Sequence, residues 1–82
     1  MVHVKFFNLI RSQYGVKECY VGPGTMGTII QQIIEVHPVI PKEVLEHAVL
    51  FINEARITHL KRNEVVVDDG DKVVFTHFVG GG

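Results

Sequence analysis

Residues 25–38, "TMGTIIQQIIEVHP", carry one apolar stripe at helical spacing. Met26, Ile29, Ile30, Ile33 and Ile34 fall at i, i+3, i+4, i+7 and i+8. This is the clearest helix in the chain, with Thr25 placed to cap its start and Pro38 to end it. Four of the five stripe residues are isoleucine, a mediocre helix former, so burial of the stripe rather than local propensity must hold the helix. A single stripe needs a single surface to lie on. That surface has to come from the rest of the chain, and the rest of the chain reads as strands.

"VHVKFFNL" alternates, with Val2, Val4 and Phe6 on one face and His3, Lys5 and Phe7 on the other. After a turn at "RSQYG", "VKECYV" is a second short strand, and the two predict a β-hairpin. "GPG" at Gly22 to Gly24 breaks the chain before the helix. Beyond it, "PVIPKEVLEHA" allows one helical turn from Lys42 to Glu46, and Val49 to Asn53 reads as a buried strand. "NEAR" is expected to turn into a short strand "ITHL", with "KRNE" a polar connector. "VVV" runs into a "DDGD" turn, where Gly70 is free to take positive φ, and "KVVFTHFV" is the last strand. The order β-β-α-β-β-β with one main helix predicts an α+β fold, a β-grasp or ubiquitin-like roll. Its mixed sheet carries the helix on one face, with the first and last strands at the centre. The expected organisation is one β-grasp domain over residues 1–79 and a flexible glycine tail over residues 80–82.

Composition removes several functions. With 82 residues the chain can build one core, and a net charge of −1 with scattered Lys and Arg gives no footprint for nucleic acid. No stretch approaches a membrane span, and the start "MVHVKFF" lacks the regions of a signal peptide. Cys19 is the one cysteine, so no internal disulfide and no cysteine cluster can form. A soluble, cytoplasmic protein is expected.

Chemistry-bearing motifs are few. The five histidines (His3, His37, His47, His59 and His77) show no i, i+4 pairing and no "HExxH", so no metal site is expected. "DDGD" lacks the further ligands and the distal Glu of a calcium loop and reads as a hairpin turn, stabilised by bonds from Asp68 and Asp69 to nearby backbone. Cys19 is expected to be a buried, inert thiol, and His77 a surface or strand-end side chain or a residue that orients a partner's ligand. Phe7 lies on the face the helix leaves uncovered, where it either anchors a partner or packs under a loop. Arg11 either meets an acidic partner or is solvated. The chain ends Gly80-Gly81-Gly82. A glycine end is thin and loose, suited to threading a narrow channel and presenting its carboxylate, and equally a frayed terminus or an added scar.

The stretch "LFINEARITHL…VVVDDGDKVVFTHFVGGG" resembles the MoaD/ThiS sulfur-carrier family, most closely its molybdopterin-synthase small-subunit branch. Asn53 stands at the turn, Asp69-Gly70-Asp71 with Val73 forms "DGD-x-V", and Gly81-Gly82 closes the chain. The opening "VKFFNLIRSQYG" is similar to the family's first strand, with Phe6, Phe7 and Arg11. Thr76, His77 and Phe78 stand where the family often has an aromatic and Pro-Pro, so a docking aromatic is either absent or supplied by Phe78. The resemblance implies a carrier, not an enzyme by itself. A ubiquitin-activating-like adenylyltransferase, using ATP, would adenylate the Gly82 carboxylate, and sulfur transfer would leave a thiocarboxylate. Gly80 and Gly81 would thread the partner, and Phe7, Arg11 and Phe78 would dock it. The chain would bind no cofactor of its own, and in the molybdopterin branch a large synthase subunit would receive the sulfur. Carriers for thiamine or for tRNA thiolation, protein modifiers, and an interaction module with an incidental glycine end are the alternatives.

Overall fold

A computed structural model of the chain describes residues 1–58 and 61–77. The first strand, β1, runs Val2–Phe7, and its burial alternates as the sequence predicts: Val2, Val4 and Phe6 are buried, His3 and Lys5 half-buried, Phe7 exposed. The expected turn at "RSQYG" is instead a short helix, α1, Asn8–Tyr14. Ile10 pins it to the core, and it ends at Gly15, whose left-handed φ of 71° lets its N–H reach the carbonyl of Arg11. Seven residues offer too few apolar positions to reveal such a helix by period. The hairpin expectation survives the insertion, because the next strand, β2 (Glu18–Val21), pairs antiparallel with β1.

After β2, Gln32 reaches across to the chain break and mimics a neighbouring strand. Its Nε2 donates to the carbonyl of Gly22 at 3.0 Å, and its Oε1 accepts from the Gly22 N–H at 2.8 Å. The short strand β3, Gly24–Thr25, leads into the main helix α2, Met26–Val36. Thr25 is the N-cap, its hydroxyl accepting from the N–H of Thr28 at 3.3 Å. Met26, Ile29, Ile30 and Ile33 are buried as the stripe requires, while Ile34, at the stripe's edge, is half-buried. Helix α3 spans Lys42–His47, and a hairpin follows, β4 (Val49–Ile52) and β5 (Ala55–Ile57). Its turn is two residues, not the four of "NEAR". Asn53 and Glu54 both take positive φ, 50° and 73°, the primed geometry that lets strands turn back at once, so β5 begins earlier than "ITHL" suggests. Of the expected strand, His59 and Leu60 lie outside the described residues.

In the "KRNE" connector, Arg62 is more than solvated surface. Its guanidinium donates to the carbonyls of Leu45 (2.7 Å), Glu46 (2.5 Å) and Ala48 (2.5 Å), closing the C-terminus of α3. Strand β6, Val66–Val67, pairs with β3, and β7, Lys72–His77, completes the main sheet. Strand order is β2-β1-β7-β4-β5. The first and last strands lie side by side at the centre and run parallel, and the other pairs in this sheet are antiparallel. The expected β-grasp is present, with α2 packed on one face of a mixed sheet. Each fully buried Ile or Phe in that layer contributes about 1.5–3 kcal/mol of transfer free energy.

Candidate functional site

The face of the sheet opposite α2 is where alternation placed Phe7, one of the expected partner contacts. The ladder register builds it in rows. Glu18, Lys5, Val74, Phe51 and Arg56 lie opposite one another across all five strands. On one side lies the row Phe7, Thr76 and Val49, and on the other Tyr20, His3 and Lys72. The middle is apolar and half-buried at Val49, Phe51 and Val74, and cations ring it. Phe7 is 39% exposed and Tyr20 is 58% exposed. Tyr20 stacks on the His3 ring with centroids 4.6 Å apart, and His3 Nε2 donates to Glu18 Oε1 at 2.5 Å.

Phe7 does not pack away beneath a loop. With Lys5, Phe6, Arg11, Lys17 and Glu18 it lines an open cavity of about 150 Å³. Strand β1 supplies Lys5 and Phe7, α1 supplies Arg11, and Lys17 stands just before β2. The helix unseen in the sequence is thus what brings Arg11 beside Phe7. Three cations face one carboxylate, and that carboxylate is already bonded to His3. Among the described residues the ion pairs are Met1 with Asp69 and His3 with Glu18, so Lys5, Arg11 and Lys17 have none there. Alternation could have found Lys5, which shares a face with Phe7. Lys17, Phe51 and Arg56 needed the strand register, which no single sequence reveals.

The signature residues Asn53 and Asp71 meet, and their role is structural. Asn53 Nδ2 donates to Asp71 Oδ1 at 2.9 Å, the Asn53 Oδ1 accepts from the N–H of Lys72 at 2.9 Å, and the Asn53 N–H donates to the Lys72 carbonyl at 2.8 Å. Asp71 Oδ2 also accepts from the N–H of Asp68 at 2.9 Å. These bonds, the Asn53 one foremost, hold the Asp71 carboxyl below its usual range. In the same turn Gly70 takes a φ of 89°, as its freedom allowed. Asp69 meets the N-terminal ammonium rather than turn backbone. Val73, the last residue of "DGD-x-V", is wholly buried between Val4 and Ile52. The motif joins two turns and anchors the central strand that leads toward the glycine end.

Cys19 is buried, and burial pushes its thiol up to about 11. Desolvation lowers the Arg62 pKa, with Glu46 opposing the shift. Among the described residues no three His, Cys, Asp or Glu side chains gather as a metal site would need, and no helix is long and apolar enough to cross a membrane. Phe78, Gly80, Gly81 and Gly82 lie outside the described residues, as does the expected boundary between residues 79 and 80. His77, exposed at the end of β7, forms a parallel bridge with Asn8.

Comparison with known proteins agrees with this architecture. The ThiS family model matches residues 4–82. No curated protein matches the sequence. Among solved structures, small archaeal modifier protein 1 from Methanosarcina acetivorans is 21% identical over 99% of this chain and 95% of its own, with a TM-score of 0.78. Subunits 1 and 2 of the molybdopterin-converting factor of Helicobacter pylori have been solved as a complex. The matching chain is 20% identical over 99% of this chain and 97% of its own, with a TM-score of 0.65. Urm1 of Sulfolobus solfataricus is 18% identical over 93% and 99%, with a TM-score of 0.61. At such identities these likenesses establish the shared fold.

Proposed function

The chain belongs to the ThiS family, and from that premise we propose that it is a sulfur carrier whose reacting group is the carboxylate of Gly82. The observation that carries this reading is that the family match runs through to residue 82, so the three glycines lie inside the matched stretch. A carboxylate is a poor acyl donor. Attack of its oxygen on the α-phosphorus of ATP, with departure of pyrophosphate, gives an acyl-adenylate. Attack of a sulfide-level sulfur on the carbonyl carbon then expels AMP and leaves a thiocarboxylate. An adenylyltransferase partner supplies the ATP site, and the chain acts as substrate and carrier rather than as enzyme. Gly80 and Gly81 keep the arm thin enough to enter the partner.

The open sheet face is the docking surface in this reading. Phe7 is the exposed aromatic anchor, and Lys5, Arg11 and Lys17 beside it suit an acidic patch on the partner. Phe78 is the further aromatic contact. The sulfur goes to the synthesis of molybdopterin, where a large synthase subunit accepts the arm. The complex of two converting-factor subunits from Helicobacter pylori supports that choice. A second reading is a protein modifier whose activated glycine ends as an isopeptide to lysine, favoured by the higher structural likeness to small archaeal modifier protein 1.

Deletion of Gly82 tests the carrier reading. In a cell that depends on this chain for cofactor synthesis, the truncated chain is expected to give no cofactor while keeping its fold and its partner affinity. Cofactor made at the parent's level by the truncated chain would end the carrier reading. Covalent conjugates to other proteins that vanish with Gly82, with no loss of cofactor, would select the modifier.

A further inference from the structure

Where β1 ends, one side chain holds the end of β7. Thr76 is the buried polar side chain among the described residues, 5% exposed on a row it shares with Phe7 and Val49. Valine would fill that space as well, so the hydroxyl needs a reason. Asn8 Nδ2 donates to Thr76 Oγ1 at 2.6 Å. Asn8 also forms the parallel bridge with His77, one step beyond the last named pair of β1 with β7, Phe7 with Thr76. It does so at a left-handed φ of 55°, where the chain swings from β1 into α1, a conformation that asparagine tolerates better than most residues.

Asn8 therefore bonds Thr76 through its side chain and stands opposite His77 in the ladder, immediately before the stretch that ends in glycine. Its own neighbour Phe7 lines the docking cavity. Five residues follow His77, a span of at most about 18 Å when extended. Releasing Thr76 and His77 would add two residues and about 7 Å, and would loosen the arm's origin relative to Phe7. Reacting groups displaced by about 1 Å can lose on the order of a hundredfold in rate. The geometry points to Asn8, acting through Thr76, as a positioning residue that fixes where the glycine arm begins relative to the docking face. This rests on the carrier reading proposed above.

The test compares Asn8→Gly, which keeps the left-handed backbone but loses the amide, with Thr76→Val, which keeps the shape but loses the hydroxyl. Each is assayed with the source cell's own adenylyltransferase by ATP–pyrophosphate exchange, and amide exchange at Thr76 and His77 is followed by NMR in the free chain. Both variants are expected to lose protection at His77 and to lower kcat about tenfold or more, with KM within twofold of the parent. Thr76→Ser, which restores the hydroxyl, should recover most of kcat. Unchanged kcat despite lost protection would overturn the assignment, and so would a raised KM with kcat intact, which would make Asn8 a docking residue. If the parent chain itself supports no exchange, the carrier reading falls and the assignment with it. The amide measurement then still reports whether the Asn8–Thr76 bond exists as a structural contact.

Discussion

Two adjacent rows of the central sheet differ by one residue on every strand and by almost everything in chemistry. Cys19, Val4, Val73, Ile52 and Ala55 face α2, and the row's centre, Val4 and Val73, is fully buried. Glu18, Lys5, Val74, Phe51 and Arg56 face away, charged at both ends and half-covered in the middle. One row holds the fold together, and the other lies on the face that the helix leaves uncovered. A strand's period of two makes the division sharp, since slipping any strand by one residue would exchange the two sets.

The difference can be broken from either side. Phe75 is buried against α2 and stacks with Phe6 at 6.0 Å, so Phe75→Ala is expected to cost about 3–5 kcal/mol in urea unfolding. Phe7→Ala should cost under about 1 kcal/mol, because Phe7 already meets solvent, and should weaken partner binding by more than it weakens the fold. Comparable losses of stability in the two variants would erase the distinction between faces. A thiol sharpens it further. Cys19, raised to about 11, should react with a disulfide reagent at pH 8 roughly a hundredfold more slowly than an ordinary thiol, through its small thiolate fraction. Moving the thiol one residue, in the double variant Cys19→Ser with Tyr20→Cys, should restore ordinary reactivity, and equal rates would contradict the assigned register.

Arg62 shows that a polar residue can serve the buried side. Arg62→Met is expected to lower stability by about 2 kcal/mol, since three carbonyls at the end of α3 lose a charged donor. A smaller effect concerns acid. The folded-state pKa of Asp71 is depressed, so its contribution is present above the unfolded carboxylate pKa and is lost as pH falls through the folded one. Asn53→Ala removes the principal cause and should flatten that part of the stability-versus-pH curve. An unchanged slope would separate Asp71 from the clasp.

What could be read in advance followed from period. The stripe of α2 and the alternation of β1 each declare which side is inward, and together they require a sheet with one covered face. The first and last strands were candidates for the sheet centre from the order of elements rather than from period, and β1 does lie beside β7 there. Residues whose roles depend on distant partners could not be read this way. Arg62 looked like part of a polar connector because its acceptors lie 14 to 17 residues away, on the last turn of α3 and its cap residue Ala48. Asn8 read as part of the first strand, and nothing local marks its bond to Thr76, which is 68 positions away. Helix α1 was hidden for another reason, since seven residues are too few to show a helical period. Of the candidate site, Phe7 was placed correctly by alternation, whereas the cations gathered around it required α1 and the β1–β2 register.

The most direct measurement of the central claim is the intact mass of the protein isolated from its own cells, followed by fragmentation of its C-terminal peptide. A carrier predicts a population in which one oxygen at Gly82 is replaced by sulfur. An unmodified Gly82 that also stays inert when ATP and the adenylyltransferase are supplied would contradict it.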